Sequence, residues 1–143
     1  MKNILLILFF AVDACNHITP GNKLSDKDIQ RIKTLGLLEN DERIIQFYFE
    51  AKKSVAGNFF TNKRMACYWL DENDESKNEI HSAFYNDIIA IDTVINEGAT
   101  YSPYMMVTCK DSSSFKVCFN GSKNEIRKTF NAAIAKWKLK RNR

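Results

Sequence analysis

A chain of 143 residues with 45% apolar and 27% charged residues, five glycines and two prolines has room for one hydrophobic core. That composition excludes disordered and collagen-like classes. The formal charge of +4 is unevenly spread: residues 123–143 carry eight Lys/Arg against the single acid Glu125, so this segment is +7 and residues 1–122 are −3. A uniformly basic nucleic-acid-binding face is therefore not expected.

Met1-Lys2-Asn3 is followed by nine apolar residues, Ile4 to Val12, the length of a signal-peptide core and about half of what spans a bilayer. The run ends at Val12-Asp13-Ala14-Cys15, which resembles the lipobox of bacterial lipoproteins. That resemblance implies that Cys15 takes the lipid and becomes the new N-terminus. Val12-x-Ala14 also suits ordinary signal-peptidase cleavage before Cys15, and the two routes stay open. The expected layout is a signal peptide over 1–14, a tether over 15–24 and one domain over 25–143.

Within that domain, Ser25-Asp26-Lys27-Asp28 reads as a helix cap with acids in the first turn, followed by Ile29, Ile32 and Leu35 on one stripe and Gly36 as a stop. From Arg43 the spacing changes to that of a strand, with Ile45, Phe47 and Phe49 alternating against Ile44, Gln46 and Tyr48. Ala56-Gly57-Asn58 is a turn signal. Lys63 to Leu70 is apolar on both phases, as a strand covered on both faces would be. The acidic stretch 71–77 reads as a polar loop; a calcium loop is disfavoured because Ser76 and Ser82 stand where glycine and a bidentate glutamate are needed.

Ile80–Tyr85 and Ile88–Ile95 are two further strands, and a hairpin turns around Asp111-Ser112-Ser113. By strand parity Cys109 and Cys118 face opposite ways, so a bridge between them needs a bulge, and Cys67, Cys109 and Cys118 are expected as reduced, buried thiols. Finally, Ser122 and Glu125 form a capping-box pair ahead of Ile126, Phe130, Ile134 and Trp137, one apolar face of a C-terminal helix. Trp69, Phe47, Val117 and Phe130 are expected in the core. The fold class is mainly β with a C-terminal α-helix (α+β), preceded by a short N-terminal helix.

Thr61-Asn62-Lys63-Arg64, the segment Leu37-Leu38 before Asp41-Glu42-Arg43-Ile44-Ile45, and Asp87-Ile88 with Ile91-Asp92 together resemble the bacterial PH-like (pleckstrin-homology-like) domains, over about residues 37–138. The resemblance implies an antiparallel sandwich or barrel capped by an amphipathic helix. It is a resemblance of fold more than of activity, because PH-like domains bind phosphoinositide headgroups in some members and peptides or protein surfaces in others.

Lys63 and Arg64 are candidates for contacting an anionic ligand. Trp137, Lys138, Lys140, Arg141 and Arg143 form a basic amphipathic end suited to an anionic membrane surface, with a solvated helix end as the alternative. Only His17 and His81 are available for imidazole chemistry, and no Gly-rich phosphate loop is present, so neither catalysis, a metal nor a cofactor is expected. The expected function is that of a non-enzymatic lipoprotein, exported and membrane-anchored in the bacterial cell envelope, whose domain binds a protein or peptide. Recognition of anionic lipid headgroups is the alternative, a small enzyme the third reading, and a soluble secreted or periplasmic form the alternative location.

Overall fold

The computed structural model describes residues 18–95 and 100–141. In chain order the elements are β1 (Thr19–Pro20), α1 (Asp26–Thr34), β2 (Ile44–Tyr48), β3 (Ala56–Thr61), β4 (Arg64–Trp69), β5 (Glu79–Phe84), β6 (Ile88–Val94), β7 (Tyr104–Cys109), β8 (Ser114–Cys118) and α2 (Lys123–Arg141). Strands β1 to β5 form one antiparallel sheet in sequential order, and β6 to β8 form a second. The mainly β class with a closing C-terminal helix is the class expected from the sequence.

Helix α1 begins where Ser25 and Asp28 cap one another: Ser25 Oγ accepts from the Asp28 N–H at 3.2 Å and Asp28 Oδ2 from the Ser25 N–H at 3.3 Å. It ends at Gly36, whose φ of +74° lets the Gly36 and Leu37 N–H groups reach the carbonyls of Lys33 and Ile32. That closure delivers Leu37 and Leu38 to the same apolar cluster as Ile32, against Phe47, Phe59, Ala66 and Tyr68 on one face of the first sheet. On the other face Tyr48, Phe60 and Met65 meet Met105, Val107, Val117 and Phe119 of the second sheet, together with Ile126, Phe130, Ala133 and Trp137 of α2. The first sheet is thus covered on both sides, which is why β4 is apolar in both phases.

Four sequence expectations need correction. Ala56-Gly57-Asn58 lies inside β3, opposite Trp69, Tyr68 and Cys67, because the Tyr68 ring crosses Gly57 and a Cβ there would strike it and the Phe47 ring. The turn comes earlier, through Ala51 at φ +61° and the bond from the Val55 N–H to the Lys52 carbonyl. A bulge between Ile44 and Gln46 breaks the alternation of β2, so that Ile45 packs in the cluster with Tyr48 and not with Phe47.

Trp69, the last residue of β4, is 44% exposed, whereas Phe47, Val117 and Phe130 are buried. The segment 15–24, expected as a tether, belongs to the domain from Ile18 onward: Thr19 pairs with Phe47, and Leu24 packs beside Ile32. The expected signal peptide over 1–14 and Cys15 lie outside the described residues. Among the described residues, no helix is long and apolar enough to cross a membrane.

Candidate functional site

The Thr61-Asn62-Lys63-Arg64 turn between β3 and β4 owes its residue types to internal bonding. Thr61 Oγ1 accepts from the Lys63 and Arg64 N–H groups, both at 2.9 Å, and Asn62 Oδ1 accepts from the Arg43 N–H at 2.8 Å. Arg64 turns inward: Nε and Nη2 donate to Glu42 Oε1 and Oε2 at 3.0 and 2.9 Å, the two-pronged geometry a guanidinium offers a carboxylate. Glu42 receives the Thr61 hydroxyl as well, and Arg64 rests on the Phe84 ring at 4.2 Å. Arg64 is therefore a core residue at 5% exposure and is not free to meet a ligand.

Lys63 points outward, but Glu39 Oε2 at 2.7 Å and both Asp41 oxygens at 2.9 Å surround its ammonium. Those two acids, Glu39 first, push Lys63 up to about 12, and Lys63 in return holds Asp41 below the ordinary carboxylate range.

A second group of basic residues lies where the end of α2 meets the start of β6. The Trp137 indole N–H donates to the Ile88 carbonyl at 3.0 Å, and its ring is 8% exposed. Trp137, a candidate membrane contact by sequence, is instead the pin that holds the helix end against the sheet. Beyond it Lys138 and Arg141 are exposed and Lys140 is half-buried; Arg143 lies outside the described residues.

Two adjoining hollows open beside this pin. One, of about 500 Å³, is lined by Lys63, Phe84, Tyr85, Asn86, Asp87 and Lys140. The other, of about 440 Å³, is lined by Asn86, Ile88, Ile89, Lys110 and Arg141. The structure thus brings Lys63 and Lys140, candidates 77 positions apart in the chain, to one groove. It adds Lys110, Phe84 and Ile89, which sequence reasoning missed.

The only sequence signal for Lys110 was its place at the end of a hairpin strand, where the Lys110 N–H donates to the Asp87 carbonyl at 2.9 Å. Phe84 and Ile89 are 40% and 48% exposed, an apolar floor that strand alternation alone does not reveal. Among the described residues Lys110, Lys140 and Arg141 form no salt bridge, Arg141 lying 5.5 Å from the centre of the Trp137 ring, so the hollows combine these cations with Asp87 and open apolar surface.

Among the described residues, the remaining chemistry-bearing side chains are held in structural contacts. His81 stands directly across from Cys67, but its ring stacks on Phe115 at 5.7 Å, and burial, then Cys118 and Glu79, push the Cys67 thiol up to about 12. A reactive thiolate needs the opposite shift. In the acidic loop, Asp71 Oδ1 accepts from the N–H groups of Asn73 and Asp74, and Asp74 Oδ1 from the N–H and hydroxyl of Ser76. Among the described residues no three His, Cys, Asp or Glu side chains converge as metal ligands.

Compared with known proteins, the chain is similar to a DUF1696-family protein with a pleckstrin-homology domain from Shewanella loihica PV-4. The two are 17% identical with a TM-score of 0.48, over 73% of this chain and 91% of the other. No protein-family model and no curated protein matches the sequence. The topology itself is two antiparallel sheets of consecutive strands closed by a C-terminal helix, the mainly β arrangement expected from the sequence.

Proposed function

We propose that this protein is a non-enzymatic binding module, exported and anchored at the envelope membrane through Cys15, whose groove at the α2 end takes an acidic segment of a protein partner. The observation that carries this reading is the pairing of Lys110, Lys140 and Arg141, none salt-bridged among the described residues, with the exposed apolar side chains of Phe84 and Ile89. Apolar floor gives a peptide affinity, and convergent cations give it sign and orientation. Lys63 contributes its aliphatic stem more than its charge, which Glu39 and Asp41 already neutralise.

Titration of the full chain with a synthetic peptide of glutamates interrupted by leucines tests the groove. Binding is expected at low salt, weakened at least about tenfold by Lys110→Glu with Lys140→Glu and weakened again as salt shortens the screening length. Equal binding by the charge-reversed protein refutes the groove. For the anchor, Cys15→Ser should move the protein out of the membrane fraction; identical partitioning of both forms refutes it.

A second reading, contact with anionic lipid headgroups, is favoured by one observation: Leu139 is 54% exposed between Lys138 and Lys140 at the helix end. A protein ending at Trp137 should then lose co-sedimentation with phosphatidylglycerol vesicles at low salt, while neither form sediments with phosphatidylcholine. Equal sedimentation of both forms removes this reading.

A further inference from the structure

The second hollowed face lies across the molecule's seam between sheets, where Cys67 of β4 and Cys118 of β8 both line one hollow of about 260 Å³. They are 51 positions apart in the chain and belong to different sheets. Asn58 joins their surroundings: on β3 it stands directly across from Cys67, and its Oδ1 accepts the Cys118 N–H at 2.9 Å. Cys67 and Cys118 thus line one hollow from two sheets, with Asn58 paired across from the first and bonded to the second, and Cys118 is close enough to raise the Cys67 thiol. Both are half-buried and open to the same hollow, while Cys109 is sealed in the core.

The hairpin register removes the pairing of Cys109 with Cys118. Cys118 stands opposite Tyr104, and Cys109 lies five residues further along β7, about 17 Å at the rise of an extended strand, far beyond the reach of a disulfide. The fold thus brings Cys67 and Cys118 to one hollow and buries Cys109 away from Cys118.

We propose that Cys67 and Cys118 form a disulfide that staples the two sheets when the chain meets an oxidising disulfide. Burial raises both thiols, so exchange is slow near neutral pH and quickens as pH rises. One thiol loses its proton to water, and the resulting thiolate attacks a sulfur of the oxidant, a small-molecule or protein disulfide, releasing one thiolate from it. The other cysteine, likewise deprotonated, attacks the sulfur of this mixed disulfide; the Cys67–Cys118 bond forms and a second thiolate leaves. The two released thiolates take up the two protons, so two cysteine thiols are oxidised and one disulfide is reduced to two thiols. The bond lies in the wall of the hollow that also holds Glu50, His81 and Lys116, on a different face from the basic groove, and it stands independently of the proposed binding function.

The test uses the full chain with Cys15→Ser, leaving three thiols, incubated with oxidised glutathione and then alkylated after unfolding. One alkylated cysteine, Cys109, and a peptide joining Cys67 to Cys118 are expected, with the melting temperature raised by roughly 10 °C and returned by reductant. Cys109→Ser should behave identically, and Cys67→Ser should form no internal bridge. Three alkylated cysteines after oxidation, or a bridge that includes Cys109, overturns the proposal. Because peptide mapping reads the unsubstituted cysteines directly, the result does not depend on any core variant folding.

Discussion

The β3–β4 turn and the end of α2 are both marked by basic residues, yet they use them in opposite ways. At the turn every charge has an internal partner: Arg64 is clasped by Glu42 and Lys63 by Glu39 and Asp41. At the helix end Lys140 and Arg141 have no salt-bridge partner among the described residues and line a groove with Lys110. A basic residue thus becomes a structural staple or a binding group according to the acids that the fold places near it, and the lone guanidinium or ammonium in the sequence does not say which.

The sharpest way to break this comparison is to remove one cation from each region. Arg64→Ala strands the buried Glu42 carboxylate and should cost about 3–5 kcal/mol of stability, read from urea denaturation. Arg141→Ala removes a guanidinium 5.5 Å from the centre of the Trp137 ring, so it should move the denaturation midpoint far less than Arg64→Ala and weaken acidic-peptide binding instead. A loss at Arg64 within measurement error would place its charge among the solvated ones and erase the distinction.

A smaller effect is expected at the start of α1, where the cap is also an electrostatic device. Burial works to raise the Asp28 carboxyl, but bonds from the Ser25 hydroxyl and N–H, with Lys53 and Arg31 nearby, outweigh it and hold Asp28 below its ordinary value of 3.8. A carboxyl lowered in the folded state stabilises fully above its unfolded value, and the gain is lost as pH falls through the folded one. Ser25→Ala should therefore cost about 1 kcal/mol near neutral pH. It should also flatten the loss of stability as pH falls below the ordinary Asp28 value of 3.8. An unchanged acid profile in this variant would detach Asp28 from the cap.

The smallest effect is expected for Lys63→Ala. Its pairs are at the surface and screened, so the denaturation midpoint should move less than for Ser25→Ala, and the shift should vanish at high salt. A loss as large as that of Arg64→Ala would make Lys63 part of the core staple.

Local signals carried well into the structure wherever the determining contacts are near in sequence. The two capping boxes, Ser25 with Asp28 and Ser122 with Glu125, bond as their spacing implies, and Gly36 ends α1 because only a left-handed residue closes that turn easily. Gly57 shows the limit. As a dipeptide signal it reads as a turn, but the ring it accommodates comes from Tyr68 on the next strand. Trp69 shares a face with Met65 and Cys67 as the alternation required, yet it is 44% exposed at the end of its strand where Met65 is fully buried.

By itself the sequence determined the mainly β class, the two helices with their caps, the doubly covered strand β4 and the concentration of positive charge in the last 21 residues. These follow from periodicity, capping chemistry and charge counts, all of which act over a few neighbouring residues. Only the tertiary structure decided that Arg64 faces Glu42, that Trp137 pins the helix to Ile88, that Lys63, Lys110 and Lys140 border adjoining hollows, and that Cys67 rather than Cys109 neighbours Cys118. Each of these depends on which distant side chains two sheets and a helix bring together as they bury their apolar faces. That packing sums many weak, non-directional contacts over the whole chain, so no single local pattern encodes it.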